Sequence, residues 1–529
     1  MAVDTLIIGS GVAACALAQR ILDRTPSSAI LILEAGSLVR TKDFGLWENY
    51  LVTGRLPYDH YKDLPYPEKD KLGENASVGG TEVPLFGARV IAHGGSTIHW
   101  GGWSFRLKPE DFYLHSNTGH GFDWPISYDD LEPYYCHAEH YLGVSGDSTD
   151  NSVPRSREYP FPPFPFTLQD KPIAKALDEV GIRYSHVPIA RYGIAENTTG
   201  HVPCQTTGTC KYCPFGSRYT SADCLNEMAA SGKYPNLEVR HGALVESIVM
   251  GVKHRAEGVI YIDKASGHSN RIDANRIVVA AGSIESAKIL LRSTSPEWRN
   301  GVGNDADLVG RCLTTHPYFM FSASVKDNPM KLQPEMNFPT LCTRHFDSEA
   351  EQQSGKFILV NPADTVPIRL ASQMQLGMTR DQLNSYVTGP HQIQLHGMIE
   401  VFGRTNNRVT NLLEKRNRLG MIETCVDYTR DTEFDARIDV IQHHVQSIFR
   451  QMGAELIGKP SISWRADHAA SVCRMSSDDV RGVLDKNLRV HDVENLYVCS
   501  NAAFPSIGAI NPTLTLTALA FRLGDHLST

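Results

Sequence analysis

Gly9-Ser10-Gly11-Val12-Ala13-Ala14 lies between an apolar run, TLIIG, and a stretch of helical periodicity, VAACALAQRILDR; a second apolar run, AILILE, then ends on Glu34. This order of strand, glycine turn, helix and strand is a βαβ unit, and it restricts the possible folds more than any other feature of the chain. Parallel strands need a crossover helix and cover on both faces, so the unit points to an α/β fold with a parallel sheet. Each position has a physical task. Gly9 permits the tight turn, Gly11 lets the backbone approach a pyrophosphate, Ala14 keeps helix and strand close, and the helix N-terminus offers unpaired N–H groups to phosphate. Glu34 is placed to accept hydrogen bonds from ribose hydroxyls. The pattern predicts dinucleotide binding, and by itself does not separate a flavin from a nicotinamide cofactor.

The rest of the 529 residues sets the scale. With 41% hydrophobic and 21% charged residues the chain is globular, and at about 150 residues per domain it holds roughly three units, or two if segments interleave. Lys plus Arg is 51 against 59 Asp plus Glu, for a net charge of −8, and no run of five basic residues occurs. Nucleic acid is therefore not an expected partner. No apolar stretch is long enough to span a membrane, and Met-Ala-Val-Asp lacks the flank of a secretory signal, so the expected address is cytoplasmic. Eleven cysteines, an odd number scattered along the chain, predict reduced and mostly buried thiols.

From Tyr50 to about Gly94 periodicity fades, and an irregular excursion over the first unit is expected. Asp129 and Asp130 open an amphipathic helix, and YPFPPFPF at 159–166 marks a crossover between domains. Strands with a hairpin follow, and AEGVIYIDKASGHSNRIDANRIVVAAG ends in a buried run before the helix SIESAKILLRS. Residues 320–455 mix strand and helix without a motif. The end regains definition, with ENLYVCS as a strand, AAFPSIGAINP as a loop and TLTLTALAFRLGDHL as a terminal helix.

Four separated blocks carry a family resemblance: GSGVAA with LEAG; HGGSTIHWGG; AAGSIESAKILLRS with VGRCLTTHP; and NLYVCSNAAFPSIGAINPTLTLTALA. Together they resemble the glucose-methanol-choline (GMC) oxidoreductases, and the tail looks most like that of pyranose oxidases and of the flavin subunits of bacterial glucose and gluconate dehydrogenases. The resemblance implies FAD, held by a doubly wound domain of discontinuous segments, 1–130, 200–320 and 456–529. It further implies a substrate domain, 131–199 and 321–455, whose antiparallel sheet faces the flavin. The implied activity is oxidation of a hydroxyl of a sugar or glycoside, with oxygen, a quinone or another acceptor reoxidising the flavin. An alcohol on a specialised metabolite is the alternative substrate.

Alcohol oxidation needs a base beside the oxygen and a hydride acceptor beside the carbon, and histidine is the natural base near neutral pH. By resemblance, Asp467-His468-Ala469-Ala470-Ser471 is the catalytic-histidine segment, with His468 as base and Asn511 as its partner. Asn511 before Pro512 and Thr513 is also what helix capping selects. The two roles are compatible, because a capping amide sits at the positive end of a helix, where negative charge on a substrate oxygen would be stabilised. Gly95, Ser96, His99 and Trp100 are expected against the isoalloxazine, where small residues allow close approach. His99 matches a position that carries a covalent flavin bond in some pyranose oxidases, and a noncovalent contact is the other reading. Val245, Ala281, Ser500 and Asn501 complete the expected cofactor contacts. Ala470 and Ser471 replace the usual glycine-containing pair and Thr315 replaces an Asp, which motivates a different reading, a flavin-binding scaffold with a degenerate site.

Cys204-x5-Cys210-x2-Cys213 gathers three thiols in ten residues. Such thiolates can hold an iron–sulfur cluster or zinc, the latter with Cys224 or His201 as fourth ligand. The glucose dehydrogenase flavin subunits look similar here, but their last gap is one residue longer. The expectation is no metal, with thiols acting as small hydrophobes in a turn.

Overall fold

The computed structural model describes residues 3–39, 41–53, 75–194, 200–206, 212–252, 254–325, 338–347, 356–361, 373–388 and 391–529. Strand Val3–Ile8, helix Val12–Arg24 and strand Ile30–Glu34 form the expected βαβ unit. All five residues of Ile30–Glu34 are buried, as the interior of a parallel sheet covered on both faces requires. The parallel sheet runs Leu237–His241, Ile30–Glu34, Val3–Ile8, Ser269–Val279, Leu496–Val498, so neighbours in space come from both ends of the chain. The first half of Ser269–Val279 also pairs antiparallel with Ala256–Asp263, which pairs with Ala243–Met250.

Helix Val12–Arg24 presents Ala13, Ala14, Ala16 and Ala18 to the core, and small side chains let the terminal helix Thr513–Leu527 pack close to it. At that crossing a Cβ on Gly524 would lie 2.7 Å from the Arg20 side chain, and the Arg20 guanidinium clamps Asp525 at 2.7 Å. The helix opened by Asp129 and Asp130 is Tyr128–Leu142, with Ser127 and Asp130 forming a capping box. It packs on the other side of the terminal helix, where the Tyr135 and Thr515 hydroxyls meet at 2.8 Å.

The second sheet is antiparallel and is built around Tyr318–Val325 and His391–Ile399, with Phe357–Val360, Leu341–Thr343 and Ser185–His186 beyond. Along Tyr318–Val325 burial alternates with period two. Phe319, Phe321 and Ala323 enter a core shared with helices Asp170–Glu179 and Phe434–Gln451, leaving Tyr318 on the opposite face. The excursion expected over Tyr50–Gly94 contains the end of a helix, Phe44–Thr53, and a short strand, Asn75–Val78, paired with Ile422–Asp427; residues 54–74 lie outside the described set. Among the described residues no helix is long and apolar enough to cross a membrane.

Glu400, just past strand His391–Ile399, is 3% exposed, and its Oε1 has no partner among the described residues. Burial raises its pKa to about 7 despite Lys356. In the unfolded chain the same carboxyl ionises near its ordinary value, so its contribution to stability is fully present below about pH 4.5 and is lost as pH rises through 7. Glu400→Gln cannot ionise and escapes that loss. We expect it to match the parent in thermal unfolding at pH 4.5 and to exceed it at pH 8, by up to about 3 kcal/mol; a lower melting temperature than the parent at pH 8 would contradict this.

Candidate active site

The C-terminal ends of four parallel strands open on one place. Gly9 follows Val3–Ile8, Glu34 ends Ile30–Glu34, Ala280 and Ala281 follow Ser269–Val279, and Cys499, Ser500 and Asn501 follow Leu496–Val498. All of these residues line a single cavity of about 630 Å³, where ligands of open α/β sheets bind. Gly11, Gly95, Ser96, His99, Trp100, Val245, Pro512 and Thr513 line it as well, as do His468 and Asn511. Ala14 is instead fully buried in the core behind it.

Two glycines of the first turn differ in kind. Gly9 has φ of +98°, and a Cβ there would lie 2.7 Å from the Ala280 carbonyl oxygen. Gly11 has an ordinary extended backbone, and a Cβ on it meets no atom of the described residues within 4 Å. No side chain caps the helix that begins after it. Glu34 does more than stand at a strand end: its Oε2 accepts from the Ser10 hydroxyl at 2.6 Å and the Ser10 N–H at 3.0 Å, and its Oε1 from the Gly36 N–H at 2.7 Å. The Ser10 hydroxyl in turn accepts from the Gly94 N–H at 3.0 Å. One buried carboxyl thus ties the glycine turn to the segment that carries His99 and Trp100. Burial raises its pKa, opposed chiefly by the Ser10 hydroxyl.

That segment is fixed from outside. Gly94 has φ of +91° and a Cβ there would sit 2.7 Å from Ala222, so only glycine fits against helix Ser221–Ala230. The Arg218 guanidinium donates to the carbonyls of Ile98 at 2.6 Å and Trp100 at 2.8 Å.

His468 ends the short turn Ala466–His468. Its Nε2 stands 3.2 Å from Asn511 Nδ2, its Nδ1 is 2.9 Å from Nδ1 of His316, and the Tyr318 hydroxyl is 3.3 Å from Nε2. Burial, then His316 and Arg465, push the His468 pKa well below the ordinary 6.5, so the ring is neutral at pH 7 and able to accept a proton. Asn511 is not a helix cap. Pro512 occupies the N-cap position and no side chain caps the helix, because the Asn511 amide is directed to His468 instead. The Asn511 Oδ1, the Asn501 Oδ1 and the Ser283 Oγ are buried without partners among the described residues, and all three residues line the cavity.

Residues 314 and 315 are hydrogen-bonded to the segment that carries His468. The Thr315 hydroxyl donates to the Arg465 carbonyl at 2.6 Å, and Ala470 pairs through its backbone with Thr314. Ser471 takes φ of +71°, a conformation that favours glycine. Sequence reasoning missed four neighbours of the base: His316, Tyr318, and the ion pair Arg465–Asp467, closed at 2.8 Å, of which the last three line the cavity. His316 was in view within VGRCLTTHP, and Tyr318 opens the alternating strand.

Of the clustered thiols, Cys210 lies outside the described residues. Cys204 donates its backbone N–H to the Gly193 carbonyl and packs against Phe164, Ile189 and Phe338. Cys224 lies 3.3 Å from the Tyr141 hydroxyl, and His201 stacks on Tyr192 at 4.0 Å. Among the described residues no group of three His, Cys, Asp or Glu side chains is placed to hold a metal ion.

Residues 168–318 and 368–520 match two family models, each described as GMC oxidoreductase. The chain belongs to the GMC oxidoreductase family. It is 27% identical to the fructose dehydrogenase large subunit of Gluconobacter japonicus, over 100% of this chain and 98% of that protein. It is 28% identical to 6'''-hydroxyparomomycin C oxidase of Streptomyces lividus, over 82% of this chain and 79% of that one. Pyridoxine 4-oxidase from Mesorbium loti shares the fold, with a TM-score of 0.66 at 17% identity over 99% of both chains. As a GMC oxidoreductase the protein is a FAD-dependent enzyme acting on CH–OH donors, which sets aside the scaffold reading.

Proposed function

We propose that the enzyme oxidises a hydroxyl of a sugar or glycoside to a carbonyl, with His468 as the base. The observation that carries the proposal is the pairing of His468 Nε2 with Asn511 Nδ2 at 3.2 Å in the same cavity as the glycine turn. Bound FAD supplies the acceptor of the hydride that leaves the carbon. The cavity fits that cofactor: Gly11 leaves open space beside an uncapped helix N-terminus, which suits a pyrophosphate, and the unpaired Ser283 and Asn501 oxygens are polar groups in want of partners. Gly9, Gly11, Glu34, Val245 and Ala281 would hold the nucleotide half. Gly95, Ser96, His99, Trp100, Ser500, Asn501, Pro512 and Thr513 would hold the flavin half, His99 by a noncovalent contact.

His468 takes the hydroxyl proton on Nε2, while the Asn511 amide donates to the oxygen as charge develops there. The uncapped start of the terminal helix adds its positive end beside Asn511. The carboxylate and guanidinium of Asp467 and Arg465, together with the Tyr318 hydroxyl, give the cavity wall the donors and acceptors that a polyol demands. The sugar class is supported by relatives that include the fructose dehydrogenase subunit and a C-glycoside 3-oxidase of Microbacterium trichothecenolyticum, 24% identical over 56% of this chain and 54% of that one. A non-sugar alcohol is the second reading, favoured by 2-methyl-1,2-propanediol dehydrogenase of Mycolicibacterium austroafricanum, 25% identical over 99% of this chain.

Anaerobic mixing of the FAD-loaded enzyme with a panel of sugars, glycosides and simple diols tests this directly. Bleaching of the flavin by the sugars supports the first reading, and bleaching by diols alone overturns it. Admission of oxygen or of a quinone afterwards identifies the acceptor. Because the His468 pKa lies below its ordinary value, the reduction rate should be level from about pH 6.5 upward and fall only on the acid side. A rate still rising through pH 8 would remove a neutral His468 from the role of base.

A further inference from the structure

A neutral histidine has one protonated nitrogen, and the nitrogen that can take a proton from substrate is set by what the other one holds. We infer that His316 is a positioning residue that locks His468 in the tautomer with its proton on Nδ1, so that the Nε2 lone pair faces the substrate. The inference rests on the reading of His468 as base and extends it to a residue that does not line the cavity.

The argument starts from a carbonyl, which only accepts. His316 is fully buried, and its Nε2 lies 2.8 Å from the Gly508 carbonyl oxygen. That nitrogen must therefore carry hydrogen, since two lone pairs at this distance would repel and leave both groups unsatisfied. Burial lowers the His316 pKa to about 4, so the ring is neutral and Nε2–H is its only N–H. Its Nδ1 then holds a lone pair. This lone pair faces His468 Nδ1 at 2.9 Å, with the two rings nearly perpendicular at 83°. A bond of that length needs one hydrogen, and only His468 can provide it.

The proton of neutral His468 is thus placed on Nδ1 and its lone pair on Nε2. The far side of the ring agrees: Asn511 Nδ2, a donor, stands 3.2 Å from Nε2, a contact that a substrate hydroxyl would replace, and the Asn511 oxygen has no partner among the described residues. Gly508 and Asn511 belong to one loop, so the same segment that orients the proposed base through His316 also presents its amide partner. When His468 takes a proton, its Nδ1–H bond to His316 gains charge assistance. The proton is not passed on, because a His316 cation would be fully buried.

The test reads the tautomer itself. The FAD-loaded enzyme is labelled with 15N-histidine, and the His468 ring signals are assigned by their loss in His468→Gln. The expected spectrum shows a protonated, pyrrole-type Nδ1 and an unprotonated, pyridine-type Nε2; a protonated Nε2 in the parent enzyme overturns the proposal, and this arm needs no variant at 316. In His316→Phe, which cannot accept, the His468 signals should shift to the other tautomer or to a mixture, and flavin reduction should slow about ten- to hundredfold with little change in substrate affinity. In His316→Asn, whose side-chain oxygen can accept from Nδ1–H, the tautomer and rate should be largely kept. Unchanged signals in His316→Phe also overturn the proposal. If His468→Ala leaves the reduction rate intact, the base reading fails, and the 15N result still decides the tautomer separately.

Discussion

His468→Ala slows anaerobic flavin reduction by about a hundredfold or more, the ordinary weight of a positioned general base, while FAD remains bound. The two halves of this expectation come from different parts of the cavity. FAD retention is expected to depend on the glycine turn, Glu34 and the segment 94–100, whose hydrogen bonds run among Ser10, Glu34, Gly36, Gly94 and Arg218 and do not include His468. The imidazole touches a different set: His316, Tyr318 and Asn511. Its loss leaves the Asn511 amide and the His316 Nδ1 facing a gap that water can fill, so the fold loses little and the hydroxyl proton loses its acceptor. Stopped-flow mixing with a substrate from the panel measures the rate, and the absorbance of the desalted protein measures flavin content. A reduction rate within a few-fold of the parent would make His468 a packed loop histidine. Loss of flavin together with activity would show instead that the side chain supports the cavity wall.

What the sequence disclosed follows the range of the forces involved. The βαβ unit was legible because its periodicities are local: the apolar run of Ile30–Glu34 reads as a buried parallel strand wherever its neighbours come from. That those neighbours are Leu237–His241 on one side and, beyond Val3–Ile8, Ser269–Val279 was not legible, since strand order depends on contacts between distant segments. His468 and Asn511, 43 residues apart, entered through family resemblance, and nothing in their spacing says that they meet. Period-two alternation marks one face of Tyr318–Val325 as buried, yet it cannot say that the other face brings Tyr318 to a cavity. Asn511 shows the limit of local rules most clearly. Asn-Pro before a helix has the composition of a cap, but the amide is drawn to a tertiary partner and the helix start stays open. Likewise, an acid at the end of Ile30–Glu34 was expected to face ribose, while the Ser10 hydroxyl that occupies one of its oxygens could not be read from spacing.

The two glycines of the first turn are expected to fail in opposite ways, and the contrast tests where the cofactor lies. In Gly9→Ala the new methyl group meets the Ala280 carbonyl oxygen at 2.7 Å from a backbone held at φ of +98°. Both partners are anchored by the pairing of Val3–Ile8 with Ser269–Val279, so neither can yield without disturbing the sheet. The left-handed conformation alone costs about 1–2 kcal/mol, and the clash adds to it; the variant should melt earlier even without flavin. Gly11→Ala carries no such penalty. Its backbone is extended, and the methyl group meets no atom of the described residues within 4 Å, so flavin-free protein should unfold at nearly the parent temperature. The methyl group stands in the cavity, however, where the pyrophosphate is expected to lie against the bare backbone at an uncapped helix end. Pushing a phosphate back from those N–H groups weakens charge-assisted hydrogen bonds of about 1.5–3 kcal/mol each, enough to lower FAD affinity by about tenfold or more. Thermal unfolding of the flavin-free proteins and fluorescence titration with FAD separate the two effects. If Gly11→Ala takes up FAD as tightly as the parent, the pyrophosphate does not approach that turn, and the assignment of the nucleotide half of the cavity fails while the fold argument for Gly9 stands.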